Sequence, residues 1–182
     1  MDALLQRVEV ETVPVGVGDH DLAVDDAPIW EGGEQTRLGA GFYESRRLQP
    51  AAIDRTLKAV GDYFERARDL GAATVRIVAT SAVRDASNGA ELTGAIRDQV
   101  GVAVECLSGD REAEWAFRGV MTNPLMAARP ALIVDLGGGS TEFVVGDGGE
   151  LLWRSSFELG TLRWLERMRP GDPPRPQDLR SC

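Results

Sequence analysis

A short glycine-rich segment carries residue types that bind phosphate. Residues 135–142 read Asp-Leu-Gly-Gly-Gly-Ser-Thr-Glu. Three successive glycines free the backbone to take positive φ and to turn several N–H groups toward one anion, and the two hydroxyls that follow are further donors. The phosphate-binding residues that this pattern predicts are Gly137, Gly138, Gly139, Ser140 and Thr141.

Two carboxylates flank the same segment. Asp135 precedes the glycines and Glu142 follows the hydroxyls. Carboxylate oxygens are suitable ligands for a divalent cation or its bound water, so both residues are candidate metal ligands. The alternative interpretation is a glycine-rich hairpin with an acidic edge, because short motifs also occur by chance.

The surroundings of the glycines distinguish this segment from two other phosphate-binding motifs. Ile133 and Val134 lead into it and an apolar run at 143–145 leads out, which predicts a strand, a turn and a second strand. No Gly-Lys-Ser/Thr follows, so the segment is not the lysine-bearing phosphate loop. Because a strand and not a helix comes next, it is not the dinucleotide fingerprint either.

Composition limits the classes of protein to consider. The 182 residues are 43% hydrophobic and 27% charged, which fits an ordinary soluble domain or a pair of small ones. The formal net charge of −9 argues against nucleic acid and anionic membrane as partners. The sequence has neither an apolar run of membrane-spanning length nor a secretory signal, so we expect a cytoplasmic protein.

Arginines and cysteines add two smaller expectations. Arg76, Arg84 and Arg111 lie close to the motif-bearing segments, and arginine forms planar, bidentate contacts with phosphate oxygens. Cys106 and Cys182 show no spacing typical of a disulfide framework or metal cluster, so both are predicted to be reduced thiols.

Strands and helices that alternate through the first two thirds of the chain predict an α/β fold. Helices are expected from Pro50 to a stop at Gly71, from a cap at Asn88, and from a cap at Asp110. Buried strands are expected at 74–79 and 102–107. Residues 1–35 give only a hint of a strand, at Val8, Val10 and Val13.

The pattern changes near Arg129-Pro130, which marks the expected domain boundary. Three strands at 131–135, 142–146 and 151–157 follow, joined by tight turns, and then a helix at 161–168. The prolines of residues 170–182 indicate a loose tail.

Three segments in this order resemble the exopolyphosphatase and guanosine pentaphosphate phosphatase family. They are Ala79-Thr80-Ser81-Ala82-Val83-Arg84-Asp85-Ala86 with Asn88, then Leu107-Ser108-Gly109-Asp110-Arg111-Glu112-Ala113, then the glycine segment 135–142. Residues 37–41 (Arg-Leu-Gly-Ala-Gly) and 160–163 (Gly-Thr-Leu-Arg) support the match.

The resemblance implies an actin-like ATPase (ribonuclease H-like) α/β fold with its active site between two domains. It implies that Glu112 activates a water molecule, that Arg84 contacts phosphate, and that Mg²⁺ is the metal. Polyphosphate or guanosine pentaphosphate is the implied substrate. Apart from the family, Glu112 is explained by the helix dipole and Arg84 by an ion pair with Asp85.

The chain departs from the family pattern at both ends. Residues 1–36 lack the first domain's usual Asp-x-Gly-Ser/Thr-Asn-Ser loop, and the sequence stops soon after the Arg163 helix, where relatives continue. We therefore expect a nearly complete first actin-like domain at 1–129 and a partial second one at 130–169, followed by the tail at 170–182. A partial domain exposes a sheet edge and an apolar face, which favours a homodimer.

The sequence is also compatible with two other functions. One is a module that lacks turnover but binds a phosphorylated nucleotide or polyphosphate, which the missing first loop favours. The other is phosphotransfer of the sugar-kinase type, which shares the glycine loop but is disfavoured by the segment 108–113.

Overall fold

The computed structural model describes residues 30–169 and Arg175. The strand predicted around Val8 to Val13 and the tail at 170–182, apart from Arg175, lie outside the described residues. None of the helices within the described part of the chain is both long enough and apolar enough to span a membrane.

The first half of the described chain alternates helices with two short parallel strands. Ile77 pairs with Val104 and Ala79 with Cys106. The elements in chain order are α1 (Phe42–Ser45), α2 (Pro50–Asp69), β1 (Ile77–Ala79), α3 (Ser81–Arg84), α4 (Gly89–Val100) and β2 (Val104–Cys106).

Helix α2 forms where the sequence predicts it. Pro50 occupies the first turn, where its missing N–H costs nothing, and Gly71 follows the end with φ +78°. The apolar side of α2 packs into a core that includes Phe42, Leu48 and Leu92, all almost completely buried. This core holds α2 and α4 against β1.

Strands β1 and β2 are shorter than the predicted ranges 74–79 and 102–107. The ladder contains only the three residue pairs that lie opposite each other. Beyond these pairs the Leu107 N–H still donates to the Ala79 carbonyl at 2.8 Å, whereas Val75 and Val102 pack against the core outside the ladder.

The second half contains α5 (Gly109–Met121), α6 (Pro124–Ala127), β3 (Ala131–Leu136), β4 (Thr141–Asp147), β5 (Glu150–Phe157) and α7 (Thr161–Met168). The three strands form an antiparallel sheet in the order β3-β4-β5. Their bounds agree with the prediction to within one residue, because each is delimited by a glycine turn.

Helix α5 covers one face of this sheet. Phe117 and Ala113 on α5 pack against Val144 on β4, and all three are buried. Strand alternation places Ile133 and Asp135 on this inner face together with Glu142. The start of α5 is therefore fixed directly above the carboxylates of β3 and β4.

Candidate active site

The first turn of α5 positions Glu112. The cap of α5 is Ser108, whose Oγ accepts a hydrogen bond from the Arg111 N–H at 3.3 Å. The prediction that Asp110 caps this helix is wrong, because Asp110 lies inside the first turn. A serine hydroxyl that accepts from the N3 amide satisfies one of the helix's unpaired donors, and it fixes where Glu112 leaves the helix.

Arg84 reaches Glu112 from the end of α3. Its Nη1 donates to the Leu107 carbonyl at 2.7 Å and lies 3.4 Å from Glu112 Oε2. Its Nε lies 3.3 Å from Asp85 Oδ1. The predicted ion pair with Asp85 is therefore present, and the same guanidinium also contacts the carboxylate of α5.

The glycine loop, residues 137–140, joins β3 to β4 at the edge of the same cleft. The Gly137 N–H donates to the Ser140 carbonyl at 3.0 Å and closes the turn. Over the part of the chain that the structure describes, the N–H groups of Gly138, Gly139 and Ser140 find no backbone acceptor. These three donors are thus available to an anion.

The loop contains glycine because it packs closely against neighbouring elements, not because it adopts positive φ. None of the three has a φ between +20° and +160°, so the expectation of positive φ at these residues is wrong. A Cβ on Gly139 would overlap the Ser81 hydroxyl and the Tyr43 hydroxyl. Glycine at 139 therefore lets the loop lie directly against α1 and α3, which a larger residue would prevent.

The two candidate metal ligands lie opposite each other on β3 and β4. Asp135 pairs with Glu142 across the ladder, and Glu142 is only 1% exposed. Ser156 on β5 donates its hydroxyl to Glu142 Oε1 at 2.7 Å. Sequence reasoning missed Ser156, because only the strand register shows that it neighbours Glu142.

Burial raises the pKa of the Glu112 carboxyl from its ordinary 4.5 to about 7. The negative charge of Glu142 acts in the same direction, and the hydrogen bond from Arg84 opposes both. Desolvation disfavours the charged form of an acid, and a nearby like charge disfavours it further. Glu112 thus titrates close to neutral pH, where a general base is most effective.

A cavity of about 330 Å³ lies in the cleft. The start of α5 and the end of α3 border it on one side, and Ser140 of the glycine loop and β5 border it on the other. Residues that line it include Arg84, Ser108, Asp110, Ser140, Ser156 and Arg163.

Some predicted residues lie elsewhere. The Thr141 hydroxyl donates to the Leu159 carbonyl, and strand alternation places Thr141 on the opposite face from Glu142. Arg76 pairs with Glu105 and stacks on Trp115, and Arg111 pairs with Glu114. Of the three arginines singled out in the sequence, Arg84 alone borders the cavity.

Within residues 30–169 and Arg175, no group of three or more acidic, histidine or cysteine side chains is arranged to hold a metal ion. Asp135 and Glu142 therefore offer at most two carboxylates at the cleft. A divalent cation held by these two residues would need water or phosphate oxygens for the rest of its coordination.

Comparison with curated proteins finds relatives of two activities. Exopolyphosphatase 2 of Mycobacterium tuberculosis is 40% identical over 148 residues, which are 79% of this chain and 46% of the relative. Guanosine-5'-triphosphate,3'-diphosphate pyrophosphatase of Vibrio cholerae is 34% identical over 134 residues, 73% of this chain and 27% of the relative. The chain thus spans less than half the length of these two proteins.

Solved structures show the same relationship. An exopolyphosphatase from Cytophaga hutchinsonii superposes with a TM-score of 0.79 at 35% identity, covering 85% of this chain and 50% of that one. A Ppx/GppA family member from Aquifex aeolicus gives a TM-score of 0.68 at 31% identity, covering 84% and 50%. The predicted actin-like α/β fold is confirmed.

The profile of the Ppx/GppA phosphatase family matches residues 24–181. This span contains α3, the start of α5 and the glycine loop, the three segments on which the cleft is built. The chain belongs to the Ppx/GppA phosphatase family.

Proposed function

We propose that this chain contributes the active site of a hydrolase that releases the terminal phosphoryl group of a phosphoanhydride. The observation that carries the proposal is that Glu112 contacts Arg84, at 3.4 Å, and that Arg84 lines the same cavity as Ser140 of the glycine loop. The first is an acid with a pKa of about 7, the second a fixed cation, and the third a set of unpaired N–H donors. In-line attack of water on a phosphoryl group requires these three functions.

In this proposal Glu112 accepts a proton from the attacking water. The Arg84 guanidinium stabilises the negative charge on the equatorial oxygens in the transition state. The N–H groups of Gly138, Gly139 and Ser140 bind the phosphoryl oxygens. The Ser140 side chain, which is buried and lines the cavity, orients the phosphate.

Magnesium is part of the proposal, with Asp135 and Glu142 as the residues that hold it directly or through water. When bound, Mg²⁺ neutralises the charge on the phosphate oxygens. The Ser156 hydroxyl occupies Oε1 of Glu142, so Oε2 is the oxygen that would be left to hold a cation or its bound water. In this proposal Thr141 contacts phosphate only through its backbone, because its hydroxyl donates to the Leu159 carbonyl.

Polyphosphate and guanosine pentaphosphate are the proposed substrates, by analogy with the relatives from M. tuberculosis and V. cholerae. We also propose a cytoplasmic location, no nucleic-acid or membrane partner, and a homodimer. The net charge of −9 supports the absence of polyanionic partners. A cation-bearing cleft is what allows an acidic protein to bind a polyanion.

The test is orthophosphate release from polyphosphate and from guanosine pentaphosphate, with magnesium present. Glu112→Gln is expected to reduce kcat by about 100-fold or more, as removal of a general base does. Wild-type kcat should rise with pH through about 7 as Glu112 loses its proton. Glu114→Gln on the same helix is the matched control, because among the described residues Glu114 pairs with Arg111 and Arg118 and not with Arg84. Equal rates in wild type and Glu112→Gln would exclude the proposed base.

A second candidate function is phosphate binding without turnover. The unpaired N–H groups of the glycine loop favour it, because they do not depend on Glu112. Calorimetry with tripolyphosphate and magnesium distinguishes the two. Binding by wild type without orthophosphate release would support this candidate and exclude the hydrolase.

A further inference from the structure

Arg163 on α7 fastens the glycine loop from behind. Its Nε donates to the Gly139 carbonyl at 2.9 Å, and its backbone N–H donates to the Gly138 carbonyl at 3.1 Å. The side chain is only 16% exposed. The glycines have no side chains to hold the loop, so these two contacts, together with those of the Thr161 and Leu162 N–H groups to the Gly137 and Gly138 carbonyls, fix how far it stands from the rest of the cleft.

Asp85 connects this arginine to the other side of the cleft. Its Oδ1 lies 3.3 Å from Arg84 Nε and its Oδ2 lies 3.6 Å from Arg163 Nη2. The two oxygens of one carboxylate thus face two arginines that belong to different halves of the described chain. Glu112, Arg84, Asp85 and Arg163 form a continuous series of ion pairs that ends at the Gly139 carbonyl.

The shape of the guanidinium is essential to this arrangement. The Arg163 group lies 4.8 Å above the Tyr43 ring, and its Nη1 donates to Glu158 at 2.8 Å. Its three nitrogens therefore point in three fixed directions within one plane, toward Gly139, Glu158 and Asp85. Nη2 is buried and has no hydrogen-bond partner among the described residues, so the Asp85 charge is what compensates it. A lysine ammonium is a point charge and cannot occupy all three directions.

We propose that Arg163 and Asp85 form a positioning pair that sets the spacing between the glycine loop and Arg84. Neither residue needs to touch the substrate. The inference rests on the proposed function, since the spacing matters only if phosphate binds between the two. A shift of about 1 Å in such a site can cost about 100-fold in rate.

The experiment compares Arg163→Lys, Asp85→Asn and the double variant with two matched controls. Arg167→Lys lies one turn further along α7, is exposed, and stacks on Trp164. Asp98→Asn removes an exposed aspartate that pairs with the arginine just before it, as Asp85 does. Hydrogen exchange is followed at the Gly137, Thr161 and Leu162 amides, which hold the loop in place. Tripolyphosphate hydrolysis is measured in parallel, with kcat and KM determined separately.

We expect exchange at these three amides to be about tenfold faster in Arg163→Lys than in wild type, with no change in Arg167→Lys. We expect kcat/KM to fall about 10- to 100-fold in Arg163→Lys and in Asp85→Asn. The loss in the double variant should be no larger than the larger of the two single losses. If the losses of the two single variants add in full in the double variant, the two residues act independently and the proposed pairing is overturned.

The two measurements separate failure of this inference from failure of the proposed function. If wild type releases no orthophosphate, the proposed hydrolase fails, and exchange alone decides whether Arg163 holds the loop. Equal exchange in Arg163→Lys and Arg167→Lys overturns the inference whatever the activity. Faster exchange in an active enzyme with unchanged kcat and KM also overturns it, because the loop would then be held without consequence for the reaction.

Discussion

At the scale of single residues, the balance of forces on Glu112 decides what the cleft can do. An arginine beside a carboxylate ordinarily lowers its pKa. Here the Arg84 contact is long, at 3.4 Å, and the same nitrogen also donates to Leu107 at 2.7 Å. Burial and the charge of Glu142 therefore prevail, and the pKa of Glu112 is raised to about 7.

This balance predicts how stability depends on pH. A carboxyl whose pKa is raised on folding stabilises the protein below its unfolded pKa, near 4.5, and the stabilisation is lost as pH rises through about 7. Glutamine does not ionise, so the Glu112→Gln variant does not lose this stabilisation as the pH rises. We expect the variant to be more stable than wild type by about 3 kcal/mol at pH 8 and equally stable at pH 4. Urea denaturation at both pH values measures this, and a variant less stable at pH 8 would contradict it.

Gly139 provides a second test at this scale. A methyl group at this position would overlap the hydroxyls of Ser81 and Tyr43, so Gly139→Ala should destabilise the protein by about 1–3 kcal/mol. Gly94 in α4 has open space around its Cα, and Gly94→Ala should stabilise by about 0.5–1 kcal/mol through helix propensity. Thermal unfolding measures both. Equal melting temperatures for the two variants would show that the loop does not lie against α1 and α3.

At the scale of elements, the sequence predicts what local chemistry determines. The strands β3, β4 and β5 and the helix α7 lie where expected, because glycine turns and apolar alternation are local signals. The distance between Glu112 and Arg84 could not be predicted, since it depends on how α3 and α5 are held by the β1-β2 pair. Ser156, Asp85 and Arg163 acquire their contacts from tertiary packing in the same way.

Asn88 shows how a correct element can have an incorrectly predicted contact. It precedes α4 as expected, yet its side chain does not cap the helix. It accepts from the Leu48 N–H at 2.8 Å and donates to the Leu48 carbonyl at 3.1 Å. A buried amide that satisfies both backbone groups of a distant residue ties the start of α4 to the segment before α2.

We therefore expect Asn88→Ala to cost about 2–3 kcal/mol, because it leaves two buried backbone groups unpaired. Asn123 offers the control, since it is exposed and its side chain caps α6 through the Leu125 N–H. Asn123→Ala should cost about 1 kcal/mol. Urea denaturation of both variants checks the difference, and a cost at Asn88 no larger than at Asn123 would contradict the bridging role.

At the scale of the whole molecule, α7 connects the two halves. Besides Arg163, its Glu166 carboxylate accepts from the Gly41 N–H at 2.5 Å and from the Tyr43 N–H at 2.9 Å. This eight-residue helix thus helps to set the relative position of the elements that border the cleft. The face of the β3-β4-β5 sheet that points away from α5 bears on whether the chain self-associates.

The sheet face opposite α5 is apolar and exposed. Leu132 is 64% exposed and Trp153 50% exposed, and both flank Val145 on the central strand. The apolar residues of this outer face are Leu132, Val134, Leu136, Phe143, Val145, Trp153 and Phe157. It carries no charge, so a second copy can meet it without direct repulsion despite the net charge of −9. Among the described strands, β3 also has an unpaired edge, and two such edges can pair antiparallel about a two-fold axis.

We expect the chain to form a homodimer through the outer face, because burying such a patch is favourable in proportion to its apolar area. Leu132→Lys combined with Trp153→Lys places two charges on the patch and should shift the protein to monomer at every concentration tested. Leu125→Lys is the matched control, since Leu125 is 66% exposed but lies on α6, outside the patch. Sedimentation velocity over a dilution series measures the mass. A wild type that is monomeric throughout, or a control that dissociates as readily as the double variant, would show that the outer face does not mediate self-association.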